Sequence, residues 1–381
     1  MLVSLIGTWI QIVAQSWLVF QLTNSAFLLG MVGFLGSMPI LLFSLFGGIL
    51  ADRLNKKNIL IFTQTAFMLL AFLLAILTQM KLVTVWQIML IAVLNGAVMA
   101  FDAPSRQSVV VELVGKAHLP NAIALNSVAF NSSRIIGPAL AGILVSSIGM
   151  SGCFYLNGVS FLAAIIALFA IKVNSLSRSA RTTALEDLRE GFIFISGNRL
   201  ILALIGIVAA LSLFGISYMI LMPVFANDVL KVGVKGLGTL MSCAGLGALI
   251  GALILARLGD FKYKGKFVIY SCFVFSFFLI LFSLSRIYLL SLLALVFVGC
   301  SSVTSVALIN TLLQTNVRDE FRGRVMSAFM LTFAGMTPFG NLIAGTLAQI
   351  LGVSSALMLS GVACAVFFMI INTAYPKIRQ I

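Results

Sequence analysis

Arg134 is the residue whose type and placement most directly suggest chemistry. It sits near the middle of residues 121–149, NAIALNSVAFNSSRIIGPALAGILVSSIG, a stretch otherwise apolar enough to cross a bilayer as a helix. On insertion scales an arginine at the bilayer centre costs about 2.5–3.5 kcal/mol, so it normally faces a bundle interior or a water-filled cavity. Its planar fork of N–H donors suits a carboxylate or a phenolate. No Asp or Glu shares its depth, because Asp102 and Asp228 fall at the ends of their own apolar runs. Two readings follow. Either a bound anionic or phenolic molecule supplies the counter-charge, or the guanidinium is satisfied by helix carbonyls, water and Asn131 one turn earlier. Gln11, Gln15, Asn95, Asn126, Tyr218, Asn310, Gln314 and Asn341 are further polar groups on apolar walls. Such groups fix small amphipathic ligands, and the same residue types also glue helices together.

Other chemistry is poorly provided for. An enzyme embedded in the membrane needs a nucleophile and base or a metal constellation, and the apolar runs hold no His, Asp or Glu at mid-depth. His118 is the single histidine, and Cys153, Cys243, Cys272, Cys300 and Cys364 stand singly, so neither a metal site nor a disulfide framework is expected. No GxxxxGK[ST] loop is present to bind a nucleotide. No cofactor is expected.

The elements that must position these residues are set by composition. The chain of 381 residues is 61% hydrophobic and 9% charged, far from the shares of about 45–50% and 25% in soluble domains. Twelve apolar runs can be read, at 2–22, 26–50, 59–80, 83–103, 121–148, 151–171, 200–225, 236–258, 267–284, 288–313, 325–351 and 353–374. The expected fold class is an all-α membrane protein of twelve transmembrane helices. The net charge of +14 is a topology signal, not a nucleic-acid footprint. Nineteen of the 24 lysines and arginines fall in the even-numbered turns and the tail, while Lys81, Lys231, Lys235 and Arg286 fall in the odd-numbered turns. The positive-inside rule then puts both termini in the cytoplasm. The first run has no basic anchor before it and no signal-peptide pattern, so a longer start upstream is expected.

A shift of 203 residues superposes Gly30, Gly33, Gly48, Gly96, Gly137, Gly142 and Gly149 on Gly233, Gly236, Gly251, Gly299, Gly340, Gly345 and Gly352. Seven of the thirteen glycines before the linker find a partner, against about one expected from composition. The expected organisation is therefore a duplicated six-helix unit, 1–172 and 200–381, a parallel repeat of the kind built into one large transporter class. A linker spans 173–199. Within it Thr183 and Glu186 have capping-box spacing, and Leu185, Leu188, Phe192 and Ile195 share one helical face, so a short surface helix is expected.

The turn after the second run reads Gly48-Ile49-Leu50-Ala51-Asp52-Arg53-Leu54-Asn55-Lys56-Lys57. It resembles the loop signature of the major facilitator superfamily: a glycine, three residues, Asp-Arg, then a basic cluster. Physically, the glycine permits close packing, the aspartate suits the positive end of a helix, and the basic residues suit anionic headgroups. Asn55 stands where a second glycine is usual, a change tolerated because asparagine also adopts left-handed turns. The resemblance implies that Asp52 caps the eleventh helix near Arg324 and that Arg53 pairs with a carboxylate at the fourth helix, with Asp102 the nearest candidate and Arg106 one turn on. Such a latch closes the cytoplasmic side and opens as the halves rock. The second-half turn keeps glycine and basic residues but carries Arg257 and Asp260 in the reverse order, so control of the gate is expected to be asymmetric.

The run Gly137-Pro138-x-x-x-Gly142 resembles the fifth-helix motif of exporting, antiport-type members, with Ser133 and Ala141 at two positions where glycine is usual; Gly340 and Gly345 are its repeat partners. Phe101–Gln107, Glu112-Leu113-Val114, Leu119–Ser127 and Arg322–Ser327 are similar to the transmembrane secretion effector branch, which includes enterobactin-type siderophore exporters and macrolide efflux proteins. This likeness runs along nearly the whole chain. It implies two pseudo-symmetric six-helix bundles enclosing a polar chamber, working by rocking alternating access as an efflux pump for drugs or siderophores in a bacterial cytoplasmic membrane. Proton-motive force is the expected drive, the lipid bilayer and a small-molecule substrate the expected partners, and a monomer the expected state. Anionic or phenolic substrates such as catecholate siderophores would suit Arg134. An importer, a lipid flippase of the same fold, or a membrane-embedded enzyme is the alternative. One departure bears on coupling: many proton-coupled members carry an arginine before the fourth-helix glycine, and here Asn95 precedes Gly96.

Overall fold

In lipid a backbone N–H or C=O has no water to bond, so each long apolar run closes into a helix. The computed structural model describes residues 2–171, 194–259 and 261–381, without the side chains of positions 45, 49, 51–53, 111, 116, 117 and 120. Among these residues there are helices and no strands. In chain order they are α1 (Leu2–Thr23), α2 (Ala26–Arg53), α3 (Lys56–Gln79), then one helical segment, Val85–Ala170, which non-helical dihedrals at Gly115 and Gly149 divide into α4 (85–114), α5 (116–148) and α6 (150–170). The second half holds α7 (Arg199–Val229), α8 (Gly233–Leu258), α9 (Lys264–Leu284), α10 (Tyr288–Asn316), α11 (Asp319–Leu351) and α12 (Val353–Ala374). Among the described residues these are twelve long helices, matching the twelve apolar runs of the sequence. The linker residues Thr183, Leu185, Glu186, Leu188 and Phe192, together with Asp260, lie outside the described residues; Ile195 falls in a short helical turn.

Several helices outrun their apolar stretches. Residues 104–114, expected to form a turn, continue α4, and α11 begins at Asp319, not near 325. Asn55 also departs from expectation. With φ −65° and ψ 109° it is extended, not left-handed, and its side chain accepts a hydrogen bond from the backbone N–H of Lys57 at 3.0 Å as the N-cap of α3.

The chain divides into two compact units. The first comprises Met1–Arg181 and the first ten residues of α8, Gly233–Ser242; the second comprises Thr182–Val232 and Cys243–Ile381. Glycine contacts recur in both at the 203-residue shift. A Cβ on Gly96 of α4 would collide with the carbonyl of Gly36 in α2, and one on Gly299 of α10 would collide with the carbonyl of Ala244 in α8. Likewise Gly137 of α5 lies against Ile6 and Trp9 of α1, and Gly340 of α11 lies against Leu213 and Ser217 of α7. Small residues let these backbones meet where apolar side chains have no hydrophobic drive to associate. The junctions repeat too: Gly149 (φ 76°) ends α5 and Gly352 (φ 84°) ends α11, in a region of backbone space that side chains with a Cβ rarely enter.

The repeat is broken in α7, which contains two π-helical turns, Leu211–Gly215 and Phe225–Val229. Ile216 N–H bonds to the Leu211 carbonyl at 2.8 Å and Leu230 N–H to that of Phe225 at 3.0 Å. Pro223, which lacks an N–H, lies between them.

Candidate functional site

Within α4, about three turns before its end, the structure places a buried carboxylate at the centre of a polar cluster. Asp102 is fully buried. Its Oδ1 accepts from Thr63 Oγ1 at 2.8 Å and Gln64 Nε2 at 2.7 Å, both on α3, and its Oδ2 accepts from Arg106 Nε at 3.0 Å and Nη2 at 2.6 Å. Both oxygens thus have two donors, and the partner of Asp102 is Arg106. The sequence reading placed Arg53 there by resemblance; the side chains of Asp52 and Arg53 lie outside the described residues. Thr63 and Gln64 were missed. Their signal was two hydrogen-bonding residues side by side in the apolar run ILIFTQTAFMLL.

The basic cluster of the α2–α3 turn points to protein, not to headgroups. Lys56 is buried and pairs with Glu112 in the extension of α4, while Lys57 Nζ donates to the carbonyls of Phe169 at 3.2 Å and Ile171 at 2.6 Å at the end of α6. A cation at a helix C-terminus offsets the negative end of its dipole. The close-packing glycine also moves by one position: a Cβ on Gly47 would collide with the Ala100 carbonyl of α4, whereas Gly48 has nothing within 4 Å. Arg324 lies over the Phe321 ring, 5.6 Å from its centroid.

On α5, Arg134 is half-buried, and its Nε is shielded with no hydrogen-bond partner among the described residues. Asn131 does not satisfy it; its Nδ2 donates to the Ser127 carbonyl of its own helix at 2.8 Å. One turn on, Gly137 packs on Trp9, and Pro138 presents its carbonyl to Gly238 in the first ten residues of α8. A Cβ on Gly142 would lie 3.1 Å from the Lys235 backbone, and Ser242 Oγ donates to the Ile135 carbonyl at 2.7 Å. The wall around the glycine run is therefore backbone against backbone.

The other polar candidates do not form one cluster. Gln11 is buried and accepts from Asn157 Nδ2 on α6 at 2.6 Å, which makes it interhelical glue. Gln15 and Asn95 are half-buried and Asn126 exposed. In the second unit Tyr218 and Gly345 are buried and Asn341 half-buried. Asn310 accepts from Gln314 Nε2 at 2.6 Å along α10. No group of His, Cys, Asp and Glu that could hold a metal ion occurs among the described residues.

Comparison with known proteins accounts for this architecture. The family model described as transmembrane secretion effector matches residues 1–380. The Staphyloferrin A transporter of Staphylococcus aureus is 27% identical over 381 residues, covering 98% of this chain and 94% of that protein. Macrolide efflux protein A of Streptococcus pyogenes is 23% identical, with 94% and 90% covered. Among solved structures, a bacterial homologue of the human lysosomal transporter Spinster superposes with a TM-score of 0.76 at 13% identity, over 99% of this chain and 95% of that one. The protein is a transporter and not an enzyme, and its many apolar helices make it a multi-pass membrane protein. From the match along nearly its full length, the chain belongs to the transmembrane secretion effector family of the major facilitator superfamily.

Proposed function

We propose that the protein exports small amphipathic molecules, such as drugs or siderophores, from the bacterial cytoplasm by rocking alternating access of residues 1–172 and 200–381 joined by the 173–199 linker. The observation that carries the direction is the run from Gly137 to Gly142. It resembles the export motif in sequence, and its backbone lies too close to α1 and to the start of α8 for a side chain to intervene. The names of relatives, a siderophore transporter and a macrolide efflux protein, support the substrate range. Asn95, Asn126, Asn131, Gln15, Tyr218, Asn310, Gln314 and Asn341 are the proposed substrate contacts. Asp102 with Arg106, Lys56 and Lys57, and Asp52, Arg53 and Arg324 by resemblance, are the proposed gating groups.

The same reading puts both termini in the cytoplasm, takes the monomer as the working unit and takes proton-motive force as the drive. Accumulation of ethidium, erythromycin and a siderophore decides it, measured in a strain lacking the gene and in the complemented strain, with and without a protonophore. Lower accumulation on complementation, abolished by the protonophore, is the expected result. Higher accumulation would make the protein an importer, and lower accumulation that ignores the protonophore would remove proton coupling.

A further inference from the structure

Arg134 is a cation inside a membrane span for which no described side chain supplies an anion. Each carboxylate with a described side chain has a partner elsewhere: Asp102 with Arg106, Glu112 with Lys56, Asp319 with Arg322, Glu320 with Arg318, and Asp228 with the Asn227 amide at 2.9 Å. The neighbours on α5 spend their polar atoms on their own helix. Asn131 donates to Ser127, and the fully buried Ser133 hydroxyl donates to the Phe130 carbonyl at 2.8 Å.

The repeat shows that the fold does not need a charge at this place. The 203-residue shift brings Arg134 onto Thr337 of α11, a neutral residue whose hydroxyl is satisfied by the Phe333 carbonyl at 2.9 Å. A charge that costs stability, has a shielded donor without a partner, and is dispensable to the helix pair it sits in is one held for a ligand. We propose that Arg134 receives the acidic group, carboxylate or phenolate, of the transported molecule, so that the preferred substrates are organic anions. This rests on the transporter reading and adds the substrate class to it. The guanidinium fork donates to both oxygens of a carboxylate at once, which a lysine ammonium does not reproduce.

Titration calorimetry on the purified full chain tests the charge directly, with salicylate and citrate as anionic probes and salicylamide as the uncharged counterpart of salicylate. The expected result is at least tenfold tighter binding of an anionic probe than of salicylamide. Arg134→Gln should erase that preference, and Arg134→Lys should restore only part of it. Arg134→Thr, which copies the repeat partner, serves if the glutamine variant does not fold. Equal affinity of the wild-type protein for salicylate, citrate and salicylamide overturns the proposal, as does equal weakening of acid and amide by Arg134→Gln. Efflux of salicylate, ethidium and erythromycin from cells separates the two readings. If wild-type efflux persists while the acid preference is absent, the substrate class is wrong and the transporter reading stands; if no compound is moved, the transporter reading fails.

Discussion

Where the first unit holds Asp102, the 203-residue shift brings Ser305 in the second. Both are fully buried and both anchor a polar cluster between consecutive pairs of spans. Around Asp102 the partners are Thr63, Gln64 and the charged Arg106. Around Ser305 they are the Ser271 hydroxyl at 2.7 Å, the Cys272 thiol at 3.6 Å and the Ser301 carbonyl at 2.8 Å, and Ile309 stands where Arg106 would be. The duplicated scaffold shares the contacts of Gly96 and Gly137 with those of Gly299 and Gly340, and the positive-φ glycine that ends α5 and α11, while the cluster carries charge in one copy and hydroxyls in the other. Helix packing in lipid depends on small residues and satisfied backbones, which both copies share. Charge in a span is costly and is kept where it has work to do.

The sharpest break of this comparison is at the cluster itself. Removing one partner of a buried ion pair costs about 3–5 kcal/mol because the other charge is left uncompensated. Asp102→Ala should therefore lower the melting temperature in detergent and abolish transport. The double variant Asp102→Ser with Arg106→Ile copies the second unit, and it should recover most of the stability without recovering transport. Recovery of both would mean that the charge in the first unit is structural only.

The glycine contacts test the shared part. Gly96→Ala and Gly299→Ala each push a Cβ into a backbone carbonyl of the facing helix, and overpacking of this kind costs about 1–3 kcal/mol. Thermal unfolding of the two variants should show losses of similar size. A loss in only one would mean that the repeat contacts are not equivalent in stability.

How much of this was legible beforehand follows from what each feature depends on. The spans, the duplication and the family-specific stretches could be read because hydropathy and glycine spacing are properties of consecutive residues. Arg134 stood out for the same reason, as a charge in an apolar run. The partners of Asp102 and Gln11 were not legible, because Thr63, Gln64 and Asn157 become neighbours only through helix packing, and each alone reads as a polar residue in a span. The roles of Lys56 and Lys57 were read as lipid-facing from their position beside the bilayer; only the fold brings Glu112 and the end of α6 within their reach. The π-helical turns of α7 leave no periodic signature in a run that is apolar on every side.

A smaller effect is expected from the hydroxyl cluster. Ser305→Ala leaves Ser271 without its side-chain partner, and hydrogen bonds between membrane helices average about 0.6 kcal/mol in double-mutant cycles. Unfolding of Ser305→Ala, Ser271→Ala and the double variant should give a coupling of this order, well under that measured for Asp102 and Arg106. A coupling as large as the ionic one would mean that the two clusters differ in chemistry but not in weight.

The smallest effect separates two adjacent glycines in the first unit. Gly47 faces the Ala100 carbonyl, so Gly47→Ala should destabilise by about 1–3 kcal/mol, as at Gly96. Gly48 has open space around it, and alanine is favoured over glycine in a helix interior by up to about 1 kcal/mol, so Gly48→Ala should leave stability unchanged or slightly raised. In the second unit the repeat partner of Gly48 is Gly251, where a Cβ would lie 2.9 Å from the Thr304 hydroxyl, and Gly251→Ala should be destabilising. If Gly48→Ala unfolds at a lower temperature than wild type, the contact has not slipped by one residue between the copies, and the glycine of the loop signature is a packing residue after all.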